Sequence, residues 1–323
     1  MSGGKRKISG SNVAVCGGLG FLGSHLVNHL IEDRDCKVLV LDNLITGSLD
    51  FLHQEANFVW CDITQSESQI RKILLHHGIK YVFNYAAMPY IPFSFDRPLH
   101  TFDTNARGAL MLFNACQDAS VEAILQVSSA EIYGDAPNHK VDEKWPASPH
   151  STYGASKLAI DALVQSRWRE ARTPVISLRQ FNCVGERETH PYVIPEIISQ
   201  INELDEEGTV YLGNNSKRDF QYAGDAVKMA VELLEKGKFG EVYNMGSEEV
   251  VKIYDLADMI AEIMGVLIRV EQDEKRIRPW EIWHLQSDNT KLYSVIDYRP
   301  KVKLKEALKL AIEDYKQYGW IYG

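Results

Sequence analysis

The run Val13-Ala14-Val15-Cys16-Gly17-Gly18-Leu19-Gly20-Phe21-Leu22-Gly23 limits what this chain can fold into more than any other stretch. Its apolar start reads as a buried strand. Leu22, Leu26 and Leu30 then recur at the spacing of a buried helix face. Glycines at 17, 20 and 23 let the backbone come close to a ligand, and the helix N-terminus that follows favours the negative charge of a pyrophosphate. A second apolar strand, Lys37-Val38-Leu39-Val40-Leu41, ends in Asp42, 19 residues after Gly23. A carboxylate there accepts hydrogen bonds from the adenine-side ribose of a dinucleotide and repels a 2′-phosphate, so the pattern predicts NAD over NADP. Without the second strand, the glycines would signify no more than a tight turn.

The rest of the first half repeats this rhythm. Strands are expected at 12–16, 37–41, 57–60, 80–84, 123–128 and 174–180, with helices over 21–32, 66–77, 103–118 and 152–171. Such alternation predicts an α/β fold, a Rossmann-type doubly wound parallel sheet with helices on both faces. Chemistry-bearing residues collect at the strand exits: Gly17, Asp42, Asp62, Asn84 to Ala87, and Ser128-Ser129. Past Gly185 the pattern changes. The loop Glu186-Arg187-Glu188-Thr189-His190-Pro191 precedes a helix over 193–204, a strand at 209–212, a helix at 225–236, a strand at 241–245 and a helix at 253–264. The expected division is a dinucleotide-binding domain over 11–182, to which segments near 218–247 return, and a smaller lobe made mainly of 183–323, with a cleft between them.

Tyr153 and Lys157, 24 residues beyond Ser129, share one face of the helix expected at 152–171. An ammonium so placed is expected to lower the phenol's pKa, and a phenolate can take a proton from a substrate hydroxyl as hydride leaves the same carbon. Alone, the pair would be two residues of an ordinary amphipathic helix. The dinucleotide pattern gives it a partner.

Composition narrows the class further. A net charge of −9 argues against nucleic acid as a partner. The cysteines at 16, 36, 61, 116 and 183 are scattered without a CxxC pair, which points to a reducing, cytoplasmic setting. His25 and His29 share a helical face and read as solvent-facing, not as a metal site. Lys5-Arg6-Lys7 lacks the apolar region of a signal peptide, and residues 1–10 read as a mobile tail. No stretch is apolar for long enough to span a bilayer, so no membrane association is expected.

Taken together, these motifs resemble the extended short-chain dehydrogenase/reductases, and among them the nucleotide-sugar epimerases, dehydratases and decarboxylases. The resemblance spans nearly the whole chain. Asp62-Ile63 is similar to the family's adenine-contacting pair, Asn84-Tyr85-Ala86-Ala87 to its segment beside the cofactor, and Asn105 to a structural asparagine. Arg179-Gln180-Phe181-Asn182-Cys183-Val184-Gly185 is similar to the RxxNxxG segment that meets the nucleotide diphosphate. Arg218 in Arg-Asp-Phe and Arg278 in Arg-Pro match positions that supply phosphate-binding arginines. The pattern and the resemblance together assign the cofactor to Gly17, Gly20, Phe21, Leu22, Asp42, Asn43, Asp62, Ile63, Tyr85, Ala86, Ala87, Tyr153 and Lys157. They give the nucleotide sugar to Met88, Ser128, Asn182, Arg218 and Arg278, and catalysis to Tyr153, Lys157, Ser129 and Glu131. The lobe beyond 183 is then the nucleotide-sugar-binding one, and helices 103–118 and 152–171 resemble those that build a four-helix homodimer interface in this family.

The reaction turns on Ser128-Ser129-Ala130-Glu131-Ile132-Tyr133-Gly134. Members that only epimerise C4 usually have no acid at position 131. Many 4,6-dehydratases carry Thr-Asp-Glu at 129–131, where the glutamate removes the C5 proton and the aspartate protonates the departing C6 hydroxyl. A subset of dehydratases and the UDP-glucuronate decarboxylases carry Thr-Ser-Glu. Here the base is kept and the usual acid is alanine. Ala86 to Phe95 resembles the corresponding stretch of UDP-N-acetylglucosamine 4,6-dehydratases of the legionaminate type, with Phe93 in place of the arginine that many other relatives have. Arg276-Ile277-Arg278-Pro279-Trp280-Glu281 and Asp288-Asn289-Thr290-Lys291 resemble their C-terminal pattern. The resemblance therefore implies an NAD-dependent 4,6-dehydratase of a nucleotide-diphosphate sugar, UDP-sugars favoured. Beside it stand a UDP-sugar 4-epimerase, a decarboxylase, a dehydratase that releases an unsaturated intermediate, and a dinucleotide-binding scaffold without activity.

Overall fold

The computed structural model describes residues 6–188, 190–277 and 280–319. Strand and helix alternate as β1 (Asn12–Cys16), α1 (Phe21–Glu32), β2 (Lys37–Asp42), β3 (Asn57–Trp60), α2 (Glu67–His76) and β4 (Tyr81–Asn84). Two short helices, α3 (Ile91–Asp96) and α4 (Pro98–Phe102), and a π-helical turn over Asp103–Arg107 lead into α5 (Gly108–Asp118). Then come β5 (Ala123–Ser129), the short β6 (Lys140–Val141), α6 (Thr152–Ala171), β7 (Val175–Gln180) and β8 (Asn182–Val184). The remainder comprises α7 (Val193–Asn202), β9 (Glu207–Leu212), β10 (Lys217–Tyr222), α8 (Ala223–Lys236), β11 (Val242–Met245), β12 (Val250–Lys252), α9 (Ile253–Met264), β13 (Leu267–Gln272), β14 (His284–Ser287), α10 (Thr290–Tyr293) and α11 (Leu304–Tyr318).

The main sheet runs β11-β7-β5-β4-β1-β2-β3, every neighbour parallel. Its order reverses between β1 and β4, which opens a crevice at the carboxyl edge. Register levels that edge: Cys16 lies beside Leu41 and Asn84, and Ser129 beside Gln180. One face packs α1 and α8 through Leu26, Leu30, Val227 and Leu234; the other packs α2, α5 and α6 through Ile70, Leu112, Phe113 and Ile160. Each such fully buried side chain contributes about 1.5–3 kcal/mol. Strand β10 pairs with β8, β12 and β14 in a second sheet, and β9 pairs with β13, over a separate core of α7, α9 and α11. Buried Asp219 ties that region together. Its carboxylate accepts from the amides of Ser247, Glu248 and Ser287 and from both serine hydroxyls.

The N-terminal segment departs from expectation. Ile8 is buried in the main core, and Arg6 Nε donates to Leu234 O at 2.6 Å while its guanidinium covers Phe239. Residues 6–10 are therefore packed against α8 and the turn after it, because Ile8 has an apolar slot to fill; residues 1–5 of the expected tail lie outside the described residues.

Candidate active site

The strand exits open into a cleft of about 690 Å³ that reaches from Gly17 and Asp42 to Arg218. At one end, Gly17 has φ +72°, and a Cβ there would stand 2.6 Å from Ala86 N, so only glycine lets the β1 exit meet the β4 exit. A Cβ on Gly23 would overlap the Gly17 carbonyl, which fixes how closely α1 approaches the turn. The N-terminus of α1 has no side-chain cap, and its amides remain available at the cleft. Asp42 accepts from Leu19 N at 3.0 Å and Leu44 N at 2.8 Å, one bond on each oxygen. Burial raises its pKa, and those amides oppose the rise.

The middle of the cleft is built by β5 and α6. Ser151 caps α6 by accepting from Gly154 N at 3.0 Å, which starts the helix one residue before Tyr153. Ser128 Oγ donates to Lys157 O at 3.2 Å, and Lys157 Nζ donates to Val127 O at 3.0 Å. Behind them, Asn105 in the π-turn accepts from Met88 N at 2.8 Å and donates to Ser156 Oγ at 2.9 Å, locking the Met88 segment onto α6. Ser129 Oγ accepts from Glu131 N at 3.2 Å, and the Ser129 and Tyr153 side chains are hydrogen-bonded. Ser129, Tyr153, Lys157 and half-buried Glu131 all line the cleft.

The phenol's electrostatics differ from the sequence expectation. Burial pushes Tyr153 up to about 12, and the Ser129 hydroxyl is the group that opposes the rise. Burial also lowers Lys157 to about 8, against the pull of Asp161 one turn on. Lys157 Nζ donates to Val127 O and stands over the Tyr153 ring, 5.7 Å from its centroid.

Of the residues singled out in the sequence, Gly17, Gly20, Phe21, Leu22, Asn43, Ile63, Tyr85, Ala86, Ala87, Met88, Ser128, Asn182 and Arg218 also line the cleft. Asp62 does not. Its Oδ1 accepts from Thr64 N at 2.8 Å and Oγ1 at 2.6 Å, and its Oδ2 accepts from Asn43 Nδ2, at the cleft edge, at 3.4 Å. Arg218 is buried beside Glu281, Nη2 to Oε1 3.4 Å. Arg278 lies outside the described residues. Arg179, first of the RxxN segment, faces away from the cleft, donating to Asp161 Oδ2 and to Tyr133 Oη, both at 2.7 Å.

A family model for GDP-mannose 4,6 dehydratase matches residues 14–311. The chain belongs to that family. The dTDP-D-glucose 4,6-dehydratase of Mus musculus is 30% identical over 318 residues, covering 94% of this chain and 88% of that one. The UDP-N-acetylglucosamine 4-epimerase of Methanobrevibacter ruminantium M1, solved with UDP-N-acetylmuramic acid, superposes with a TM-score of 0.85 at 30% identity, over 95% of this chain and 98% of the other. The UDP-glucose 4-epimerase of Thermus thermophilus, solved with NAD, gives 0.85 at 26% identity over 95% and 99%. The fold is the Rossmann-type α/β fold expected, and the chain is an enzyme of the nucleotide-sugar dehydratase and epimerase class.

Sequence reasoning missed several cleft residues in this family member. Tyr90, His190 and Tyr192 pack their rings against one another, with centroids 5.5–5.9 Å apart, and burial lowers His190 to about 4. Glu188 and Gln180 each present a buried oxygen with no hydrogen-bond partner among the described residues. His25 is buried, contrary to its reading: Gly185 and Glu186, just after β8, cover it. Its Nε2 lies 2.9 Å from Glu186 O, and burial drops its pKa to about 3.

Proposed function

We propose that this protein is an NAD-dependent nucleotide-sugar 4,6-dehydratase, with a UDP-sugar and first of all UDP-N-acetylglucosamine as substrate. The observation that carries the reading is Glu131, a carboxylate that lines the same cleft as Ser129, Tyr153 and Lys157 and leaves β5 beside them. The dinucleotide end supports the cofactor. The glycine turn and uncapped α1 N-terminus suit a pyrophosphate, and Asp42 keeps an acceptor position on each oxygen for ribose hydroxyls. When bound, NAD accepts the hydride from C4 of the sugar and returns it at C6.

The chain's own residues handle the protons. Tyr153, hydrogen-bonded to Ser129 and with its phenolate favoured by the Lys157 ammonium beside the ring, takes the proton of the C4 hydroxyl. The C4 ketone acidifies C5, and Glu131 removes that proton as water leaves from C6, so that the product is a 4-keto-6-deoxy sugar nucleotide. Arg218 and Asn182 hold the diphosphate, and Arg218 exchanges its contact with Glu281 for phosphate oxygens. The lobe beyond residue 183 binds the nucleotide sugar, and residues 11–182 with the returning 218–247 segment bind the dinucleotide. Two copies associate through α5 and α6. Exposed Phe95, Leu99 and Phe102 beside them support such a surface.

Ala130 favours a second reading, 4-epimerisation, since the position lacks a proton donor for the leaving group. Proton NMR of products from UDP-, dTDP- and GDP-sugars separates these. A new C6 methyl signal means dehydration, an inverted C4 epimerisation, a vinylic C6 release of the unsaturated intermediate, and a pentose decarboxylation.

A further inference from the structure

Five carboxylates line the cleft: Asp42, Glu131, Glu188, Glu196 and Glu281. Three are engaged elsewhere. Asp42 accepts from two backbone amides, Glu281 pairs with Arg218, and Glu196 pairs with Arg276. Glu131 and Glu188 remain, and their surroundings differ. Glu131 leaves β5 through a one-turn helix over Ala130–Ile132. Glu188 belongs to a half-buried loop, and its Oε2 is closed off from solvent with no hydrogen-bond partner among the described residues. A buried oxygen left unpaired is costly, and a ligand hydroxyl in the cleft would satisfy it.

The loop that presents Glu188 is fixed from three sides. Arg187 takes the left-handed conformation, φ 63°, and its amide donates to Asp314 Oδ2 at 2.8 Å. Tyr222 Oη donates to Glu186 Oε1 at 3.3 Å. His25, on the helix that begins at the glycine turn, meets Glu186 O; neutral imidazole with a carbonyl partner must carry its proton on Nε2. A left-handed non-glycine residue held by contacts from α1, α11 and β10 aims the next side chain deliberately. Both carboxylates line the one cleft: Glu131 follows Ser129 at the end of β5, and Glu188 follows β8 in the chain segment that leaves Gln180, the residue level with Ser129 on β7.

We propose that Glu188 is the acid that protonates the C6 hydroxyl as it leaves, the task that alanine at position 130 cannot perform. The proposal rests on the dehydratase reading above. In the step, the C5–H bond breaks and its proton passes to the Glu131 carboxylate. The electron pair forms the C5–C6 double bond as the C6–O bond breaks. The departing oxygen takes the Glu188 proton and leaves as water. Glu131 gives its proton back to C5 as the double bond is reduced at C6, and Glu188, now a carboxylate, is reprotonated from solvent, to which Tyr153 returns the C4 hydroxyl proton, so the count closes. Burial holds the Glu188 carboxyl well above the usual carboxylate range, which keeps it protonated for this task. Two glutamates in one cleft then carry opposite duties because their surroundings differ.

The test compares wild type, Glu188→Gln and Glu131→Gln on UDP-N-acetylglucosamine and on its 6-deoxy-6-fluoro analogue, whose fluoride leaves as the anion and needs no proton. Calorimetry with UDP checks that each variant still binds the nucleotide as wild type does. Glu188→Gln is expected to lose about 100- to 10,000-fold in C6 elimination from the natural sugar and to recover on the fluoro sugar. Glu131→Gln is expected to fail on both. Undiminished elimination by Glu188→Gln on the natural sugar overturns the proposal and leaves the dehydratase reading standing. Equal losses on both sugars, or lost UDP binding, also overturn it, since they mark a structural role. A wild-type protein that leaves C6 intact overturns the dehydratase reading and this proposal with it.

Discussion

Replacing Lys157 with methionine removes a buried ammonium while keeping most of its stem in place. Burial lowers Lys157 from 10.5 to about 8, with Asp161 opposing the shift. Below that value the folded and unfolded chains both carry the charge, and the folded state bears the whole cost of burying it. Between about 8 and 10.5 the unfolded chain holds a proton that the folded chain has released, so stability rises with pH. One pKa unit is worth about 1.4 kcal/mol, so wild type gains about 3 kcal/mol relative to the variant across this window. Urea unfolding of both cofactor-free proteins from pH 7 to 10.5 measures it, because other titrating groups cancel in the difference. A wild-type-minus-variant difference that stays flat with pH, or falls, refutes the reasoning. The same substitution is expected to slow turnover as well, since it removes the ammonium that favours the Tyr153 phenolate.

Asp42 is expected to make the protein bind NAD at least about tenfold tighter than NADP; equal affinities by calorimetry on cofactor-stripped protein refute this. Asp161→Asn leaves Arg179 as a buried cation without its carboxylate and lowers stability by about 3–5 kcal/mol in urea unfolding. A loss below about 1 kcal/mol shows that Tyr133 and the Glu143 carbonyl suffice for that cation. Light scattering at micromolar concentration is expected to show a homodimer, and Leu99→Glu, on an 83% exposed side chain, to shift it to monomer. A monomeric wild type refutes the association proposed.

The sheet was legible because its strands are mostly apolar and most end in a polar residue or run into glycine. β1 and α1 fall at the bounds read from the sequence, Asn12–Cys16 and Phe21–Glu32. Other elements escaped for local reasons. Pro92 and Pro98 look like breaks, yet each sits in the first turn of a short helix, where a missing N–H costs nothing. β13 has no fully buried position, so it carries no clear strand signal and is held by its pairing with β9. At the site, residue types and spacing gave which side chains gather, and neighbours distant in sequence decided how they behave. Asp62 was recognisable as a motif; that Thr64, two residues on, holds one of its carboxylate oxygens and Asn43 the other was not. His25 looks exposed until Gly185 and Glu186, in the loop after β8 and about 160 residues away in sequence, close over it. Glu188 carries no signal at all in the sequence, since its surroundings come from that loop's anchors on α11 and β10.

The central claim is that Glu131 makes this a dehydratase, and Glu131→Gln tests it most directly. An amide cannot accept the C5 proton, so the variant should still oxidise C4 but form the C6 methyl product about 100- to 10,000-fold more slowly than wild type. The measurement is proton NMR of UDP-N-acetylglucosamine incubated with each protein. The account predicts a C6 methyl signal with wild type and its loss with the variant. Methyl formation by the variant at near wild-type rate, or a wild-type product with C4 inverted and C6 unchanged, contradicts it.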